Sequence, residues 1–259
     1  MCDTCGCGDP NLVSVDVHEN ILAVNDRTAA HNREHLARQG IFAVNLMGSP
    51  GAGKTAVLEA TARALSGRRR LGVIAGDLET ERDADRLRAV DVPAAAITTG
   101  TACHLDAEML HRALHDFPTS GLDYLFVENV GNLVCPAVYD LGQAVNVVAL
   151  SVTEGEDKPL KYPVMFRKAD LVLLTKVDLL PHLDLDVPEL EAALARVAPA
   201  VSLLPLSART TEGVSAWVDW LQARAAATPE PSGERAAHTR EGDRGIIDAV
   251  ARSGGRTKD

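Results

Sequence analysis

Gly48-Ser49-Pro50-Gly51-Ala52-Gly53-Lys54-Thr55 decides how the rest of this chain is read. Before it runs Ile41-Phe42-Ala43-Val44-Asn45-Leu46-Met47, an apolar stretch with the pattern of a strand buried on both faces. After it comes Ala56-Val57-Leu58-Glu59-Ala60-Thr61-Ala62-Arg63-Ala64-Leu65, a run of strong helix formers. Strand, G-x-x-x-x-G-K-T and helix, in that order, are the full context of a phosphate-binding loop. The glycines let backbone N–H groups curl around an anion, and the helix N-terminus adds partial positive charge. Lys54 is expected to neutralise β- and γ-phosphates, and the Thr55 hydroxyl to ligate Mg2+.

Working outward, strands are expected at 71–76, 94–98, 124–128, 145–150, 171–175 and 201–205. Helices are expected at 80–90, 104–116, 187–197 and 213–226. This alternation predicts an α/β fold of the P-loop NTPase kind, a mostly parallel sheet with helices on both faces and ligands at the carboxyl ends of the strands. Residues 18–38 read as an amphipathic helix stopping at Gly40. His31 and His35 share one of its faces, with a solvated polar face as the plainer reading. The domain reading is a flexible cysteine-rich tip at 1–10, a helical extension at 11–40, a nucleotide-binding domain at 41–226 and a Pro-, Gly- and charge-rich tail at 227–259 expected to be disordered.

Thr175-Lys176-Val177-Asp178 follows a buried strand and has the form of a guanine-reading element. Asp178 can accept from both N1–H and the exocyclic amine of guanine, whereas adenine offers no such pair of donors. The Lys176 stem can cover the base. Ser207-Ala208-Arg209, after the next strand, fits a second base-contacting loop acting through backbone N–H groups. Asp77 ends the strand after the phosphate-loop helix and is a candidate for holding Mg2+ or activating water, with helix N-capping as the open alternative. Glu128-Asn129-Val130-Gly131 ends the next core strand. Gly131 can donate its N–H to the γ-phosphate and Glu128 can hold Mg2+ through water.

The five cysteines are Cys2, Cys5, Cys7, Cys103 and Cys135. With no signal-peptide pattern at the N-terminus, the cytosol is the expected compartment, and thiols or metal ligands the expected state. Cys2-x-x-Cys5-Gly6-Cys7 puts three soft donors on a few residues. With the terminal amine they suit a square-planar site favouring Ni2+, and Zn2+ is a second possibility. Cys103-His104 is expected to open the helix at 104, with Cys135 arriving from the neighbouring strand end to complete a second nickel or zinc site. His111 and His115 would continue the face of His104. Cys135 lies only four residues past Gly131, so a loop that senses the γ-phosphate would also carry a metal ligand.

A net charge of −10 disfavours nonspecific nucleic-acid binding. No apolar run approaches the roughly 20 residues needed to cross a bilayer, so no membrane insertion is expected.

Five stretches carry a resemblance to a known family: 2–7, 48–55, Thr99-Gly100-Thr101-Ala102-Cys103-His104-Leu105-Asp106, Glu128-Asn129-Val130-Gly131-Asn132-Leu133-Val134-Cys135-Pro136 and Glu154-Gly155-Glu156-Asp157-Lys158-Pro159. Over residues 1 to about 225 the sequence resembles the HypB nickel-incorporation GTPases, in the SIMIBI class. The resemblance implies a slow GTPase that uses GTP and Mg2+ and delivers Ni2+ to the large-subunit precursor of [NiFe]-hydrogenase. It also implies a GTP- and metal-linked homodimer with Cys103, His104 and Cys135 at its interface, and a partner similar to the zinc protein HypA. The histidine-rich stretch of some relatives is lacking here. Other readings are a nickel or zinc buffer whose nucleotide site only controls assembly, a sister metallochaperone GTPase of the urease or cobalamin kind, and an ATP-dependent kinase or ATPase, against which Asp178 argues.

Overall fold

A computed structural model of the chain describes residues 10–77, 82–100 and 102–228, with side chains from residue 22. The cysteines of the 1–10 tip and the 227–259 tail, up to its first two residues, lie outside this range, so those expectations are not addressed by the fold. Among the described residues seven parallel strands form one sheet: β1 (Phe42–Met47), β2 (Leu71–Asp77), β3 (Ala94–Thr98), β4 (Tyr124–Glu128), β5 (Val145–Ser151), β6 (Leu171–Thr175) and β7 (Ser202–Leu206). Their order is β3-β2-β4-β1-β5-β6-β7, so β1 is central. Strand order turns there, and the loop after β1 opens into the crevice where such sheets bind ligands.

Side-chain alternation splits the core. Phe42, Val44 and Leu46 of β1 and Phe126 of β4 face one layer, packed by Leu58 and Trp217. That layer consists of α2 (Lys54–Leu65), α3 (Arg82–Arg88) and α8 (Val214–Ala227). On the other face, Ala43, Leu125 and Val127 meet Leu36 and Leu110, from α1 (Pro10–Arg38) and α4 (Ala107–Asp116). Further along that face, Val148 and Val172 meet Phe166 and Leu190, from α6 (Pro163–Arg167) and α7 (Val187–Val197). Strands buried on both faces must be apolar at nearly every position, which is why they were readable as continuous apolar runs.

Most element ends fall within a residue or two of the sequence reading, and three departures are larger. The first helix begins at Pro10 and not at residue 18; proline suits a first helical turn, where its missing N–H is no loss. Helix α4 begins at Ala107 and not at 104, because Asp106 caps it by accepting the Met109 N–H at 2.7 Å. Cys103-His104 therefore lies in the turn before the helix. Short α5 (Lys158–Lys161) and α6 follow β5, where no helix was expected. Among the described residues no helix is long and apolar enough to cross a membrane.

Candidate nucleotide and metal site

The loop between β1 and α2 is built for close approach. Gly48 has φ +147°, and an added Cβ would sit 2.3 Å from the Ala149 carbonyl oxygen. Lys54 Nζ donates to the carbonyls of Gly48 and Ser49, each at 3.2 Å, so the loop holds its own cation. Thr55 Oγ1 donates to Glu128 Oε1 at 2.9 Å. Burial lowers the Lys54 pKa, with Glu128 the largest influence opposing it. Burial likewise pushes the Glu128 carboxyl up to about 7, opposed first by Lys54. Each favours the other's charged form, and desolvation outweighs that help in both. Glu128 Oε2 is buried without a hydrogen-bond partner among the described residues. An oxygen-seeking cation, or water on one, fits that atom.

These groups line a cavity of about 350 Å3 that also takes in Asp77, Asp83 and Arg86. Asp77 closes β2 opposite Thr98 of β3. Residues 78–81, which would decide its capping alternative, are outside the described range. Gly131 reaches the loop from the other side: a Cβ there would lie 2.8 Å from Pro50 Cγ, so only glycine permits this approach. Asn132 and Gly48 form an antiparallel bridge.

The second half of the loop meets the base-reading segments. Thr175 Oγ1 donates to the Ala52 carbonyl and Lys176 Nζ to that of Gly51, both at 2.6 Å. Lys176 adopts a left-handed backbone (φ +60°), which turns the chain into the 3-10 segment carrying Asp178. Ser207, fully buried, donates from Oγ to Asp178 Oδ1 at 2.6 Å. Ser207 was expected to act through its backbone N–H; its hydroxyl also aims the carboxylate. Ala208 is half-buried and Arg209 exposed just beyond.

Cys103, His104 and Cys135 bring one ligand atom each within 4.8 Å of one another, all half-buried. The two sulfurs are 2.9 Å apart and both thiols are free. Cys135 Sγ has its pKa raised, first by its hydrogen bond with Cys103 and then by burial. Two adjacent thiolates repel, and a cation between them reverses that penalty. His104 stacks on Tyr139 with ring centroids 3.9 Å apart, and burial lowers its pKa, keeping the imidazole neutral as a ligand must be. Since His104 precedes the helix, it does not share a helical face with His111 and His115, which turn instead toward α1.

Two residues to which the sequence reading gave no role organise the site. Asn129, 1 % exposed, accepts from the Leu105 N–H at 3.2 Å and the Val130 N–H at 3.0 Å, and donates to Asn45 Oδ1 at 3.1 Å. One amide thus ties the turn holding Cys103-His104 to the loop holding Gly131. Glu154 accepts from Ser49 Oγ at 2.5 Å and from the Ser151 N–H at 2.9 Å, fixing the phosphate loop from β5. The only signal for Asn129 was its place beside Glu128 at a strand end; Glu154 lies in one of the family-like runs.

The family profile of the CobW/HypB/UreG nucleotide-binding domain matches residues 42–205. A hydrogenase maturation factor HypB from Azotobacter chroococcum is 52% identical over 210 residues, covering 80% of this chain and 68% of that protein. The hydrogenase/urease maturation factor HypB of Helicobacter pylori is 41% identical over 219 residues, covering 82% and 90%. Among solved structures, HypB from Helicobacter pylori in complex with nickel superposes with a TM-score of 0.76 at 38% identity, covering 82% of this chain and 99% of that one. The hydrogenase maturation factor HypB from Archaeoglobus fulgidus gives 0.73 at 39%, covering 79% and 100%.

Proposed function

This chain belongs to the CobW/HypB/UreG family, among the HypB hydrogenase maturation factors, and from that premise we propose that it hydrolyses GTP to control delivery of Ni2+ to the large-subunit precursor of a [NiFe]-hydrogenase. One observation carries the reading. The segment 128–135 touches the phosphate loop through Glu128, Gly131 and Asn132, and its last residue, Cys135, meets Cys103 and His104. Nucleotide and cargo metal act on a single stretch of backbone.

Guanine is recognised by Asp178, held in place by Ser207, with the Lys176 stem over the ring. Lys54 leaves its carbonyl partners for the β- and γ-phosphate oxygens, and Gly131 offers its N–H to the γ-phosphate. Water attacks the γ-phosphorus, the bond to the bridging oxygen breaks, and GDP and phosphate are released. Asp77 and Glu128 are the carboxylates positioned to take the water's proton. Thr55 and Asp77 would hold Mg2+, for which the orphaned Glu128 oxygen is a fitting neighbour. Bound there, Mg2+ supplies charge that offsets the charge developing on the phosphates.

Nickel, or zinc in competition, is taken by Cys103, His104 and Cys135, and a tighter nickel site is assigned to Cys2, Cys5 and Cys7. Val134 and Val138, 51 % and 39 % exposed, flank Cys135. Apolar side chains beside a metal site support a homodimer closing there when GTP and metal are bound. A HypA-like zinc protein and the hydrogenase precursor are the proposed partners, in the cytoplasm. Native mass spectrometry with and without a GTP analogue tests the dimer and metal count together. Transfer of Ni2+ to an apo acceptor with GTP but not with GDP tests delivery, and equal transfer with both would leave only a metal buffer.

A further inference from the structure

Four of the chain's eight histidines gather where α1 crosses α4, away from the cysteines and partly outside the matched family region. His31 and His111 have ring centroids 5.1 Å apart, and so do His111 and His115. Two imidazoles bound at about 2.0–2.1 Å to one tetrahedral ion have ring centres about 5 Å apart. His111 is the fixed member. Asn32, fully buried, donates from Nδ2 to the carbonyls of Ala107 (2.8 Å) and Leu141 (3.2 Å). Its Oδ1 is therefore an acceptor, and His111 Nδ1, 3.1 Å away, is the donor. The Nε2 of His111 is left with its lone pair, in the tautomer that a supporting hydrogen bond selects for metal ligation.

We propose that His31, His111 and His115 form a second divalent-cation site, independent of the thiol ligands, that takes a borderline ion such as Ni2+ or Zn2+ through imidazole nitrogen. In this conformation the rings meet edge to face, and they converge on an ion by turning His31 and His115, which are exposed. His35 is the fourth position. Its Nε2 accepts from Gln39 Nε2–H at 2.9 Å, so an ion gains it only by displacing that amide. Burial lowers the His35 pKa, and neighbouring His31, Arg38, His111 and His115 add to this, which favours the neutral ring. The nearby cations are answered by carboxylates one turn away: Arg38 by Glu34 at 3.4 Å and Arg112 by Glu108 at 2.9 Å. Little local charge opposes a dication. An ion here would also pin α1 to the domain.

The test uses the full chain with Cys2, Cys5, Cys7, Cys103 and Cys135 all changed to serine, titrated with NiCl2 alone by equilibrium dialysis. The expected result is one Ni2+ retained per chain, with nitrogen and oxygen but no sulfur around it by X-ray absorption. Adding H31N and H115N, both at exposed positions, weakens retention at least tenfold. The same two changes in the chain with its cysteines leave thiol-bound nickel unaltered. NMR of the five-serine chain provides a second readout, in which Zn2+ shifts the His111 Nε2 resonance. No retained nickel in the five-serine chain, or retention indifferent to H31N and H115N, overturns the proposal, as does a Zn2+ response confined to His18, His182 or His238.

Discussion

The phosphate side and the sulfur side of this molecule are made differently. Lys54, Thr55 and Glu128 are at most 7 % exposed and bonded to one another or to the loop itself. Cys103, His104 and Cys135 are half-exposed, and their side-chain partners are each other, Tyr139 and Asn132, whose Nδ2 lies 4.0 Å from Cys135 Sγ. The first set is assembled before any ligand arrives and holds uncomfortable buried charges in place. The second comes from the bend before α4 and from a three-residue 3-10 turn that starts at Cys135. A rigid pocket can register one phosphate more or less, while a loosely held ligand set can gain or lose an ion for a small free energy. The two meet in 128–135, so under the proposed function a small shift at Gly131 should be carried to Cys135 four residues on.

Breaking the rigid side has the largest expected effect. Lys54→Ala removes the cation that faces the transferred phosphate, and hydrolysis is expected to fall by about 10^2–10^3-fold. Nickel binding without nucleotide should stay within about twofold, as read by competition with a chromogenic chelator. Breaking the open side comes next. Cys135→Ser should weaken metal binding at the half-exposed set by about 100-fold, the upper end of the usual loss for an outer-shell partner. GDP affinity should hardly change. Loss of both in either variant would mean that the two regions are one unit and not two joined by a loop.

A third variant sharpens the contrast through pH. The Glu128 pKa is raised from 4.5 to about 7 by burial. A folded-state pKa above the unfolded one gives stabilisation complete below pH 4.5, declining as pH rises and gone above about 7. In chelator-treated protein without nucleotide, Glu128→Gln should remove that slope. Denaturant melts at about pH 5 and about pH 8 should show wild type losing about 2 kcal/mol more than the variant between them. Parallel losses would place the titrating group elsewhere.

Much of the rigid side was legible in the sequence, and the open side only in outline. Buried parallel strands must be apolar throughout, so 41–47, 124–128 and 171–175 announced themselves, and Gly48, Gly53 and Lys54 sit where a phosphate loop needs them. Cys103 and Cys135 were paired on the expectation that they leave neighbouring strands, but β2 lies between β3 and β4; they meet because the loops after both strands cross the same end of the sheet. Asp106 was misread because a capping aspartate and a helical one look alike until the Met109 N–H is seen to reach it. Asn45 gave no signal, and Asn129 none beyond its place beside Glu128, because an asparagine in a strand or loop reads as polar surface. Their partners, Asn146 and Leu105, are distant in sequence. The four histidines were visible as two pairs at helical spacing, but only the packing of α1 on α4 brings the pairs together.

The smallest expected effect tests the join itself. Asn45 lies within the central strand β1, lining neither pocket, and holds Asn129 through the 3.1 Å bond from Asn129 Nδ2 while donating to Asn146 Oδ1 at 2.9 Å. Asn129 in turn accepts from the N–H groups of Leu105 and Val130, one in each turn. Asn45→Ala should lower stability by about 1–3 kcal/mol, since Asn129 keeps its two acceptor bonds but loses its donor bond, and Asn146 Oδ1 loses one of its donors. GDP binding and nickel binding, measured singly, should each stay within about twofold. What should shrink is the difference in nickel affinity between the GDP-bound and GTP-analogue-bound protein, because Asn129 is then free to turn and the two turns can move separately. If that difference survives intact in Asn45→Ala, coupling runs along the 128–135 backbone alone and the amide chain is only structural. If wild type shows no difference, the open region never reads the rigid one.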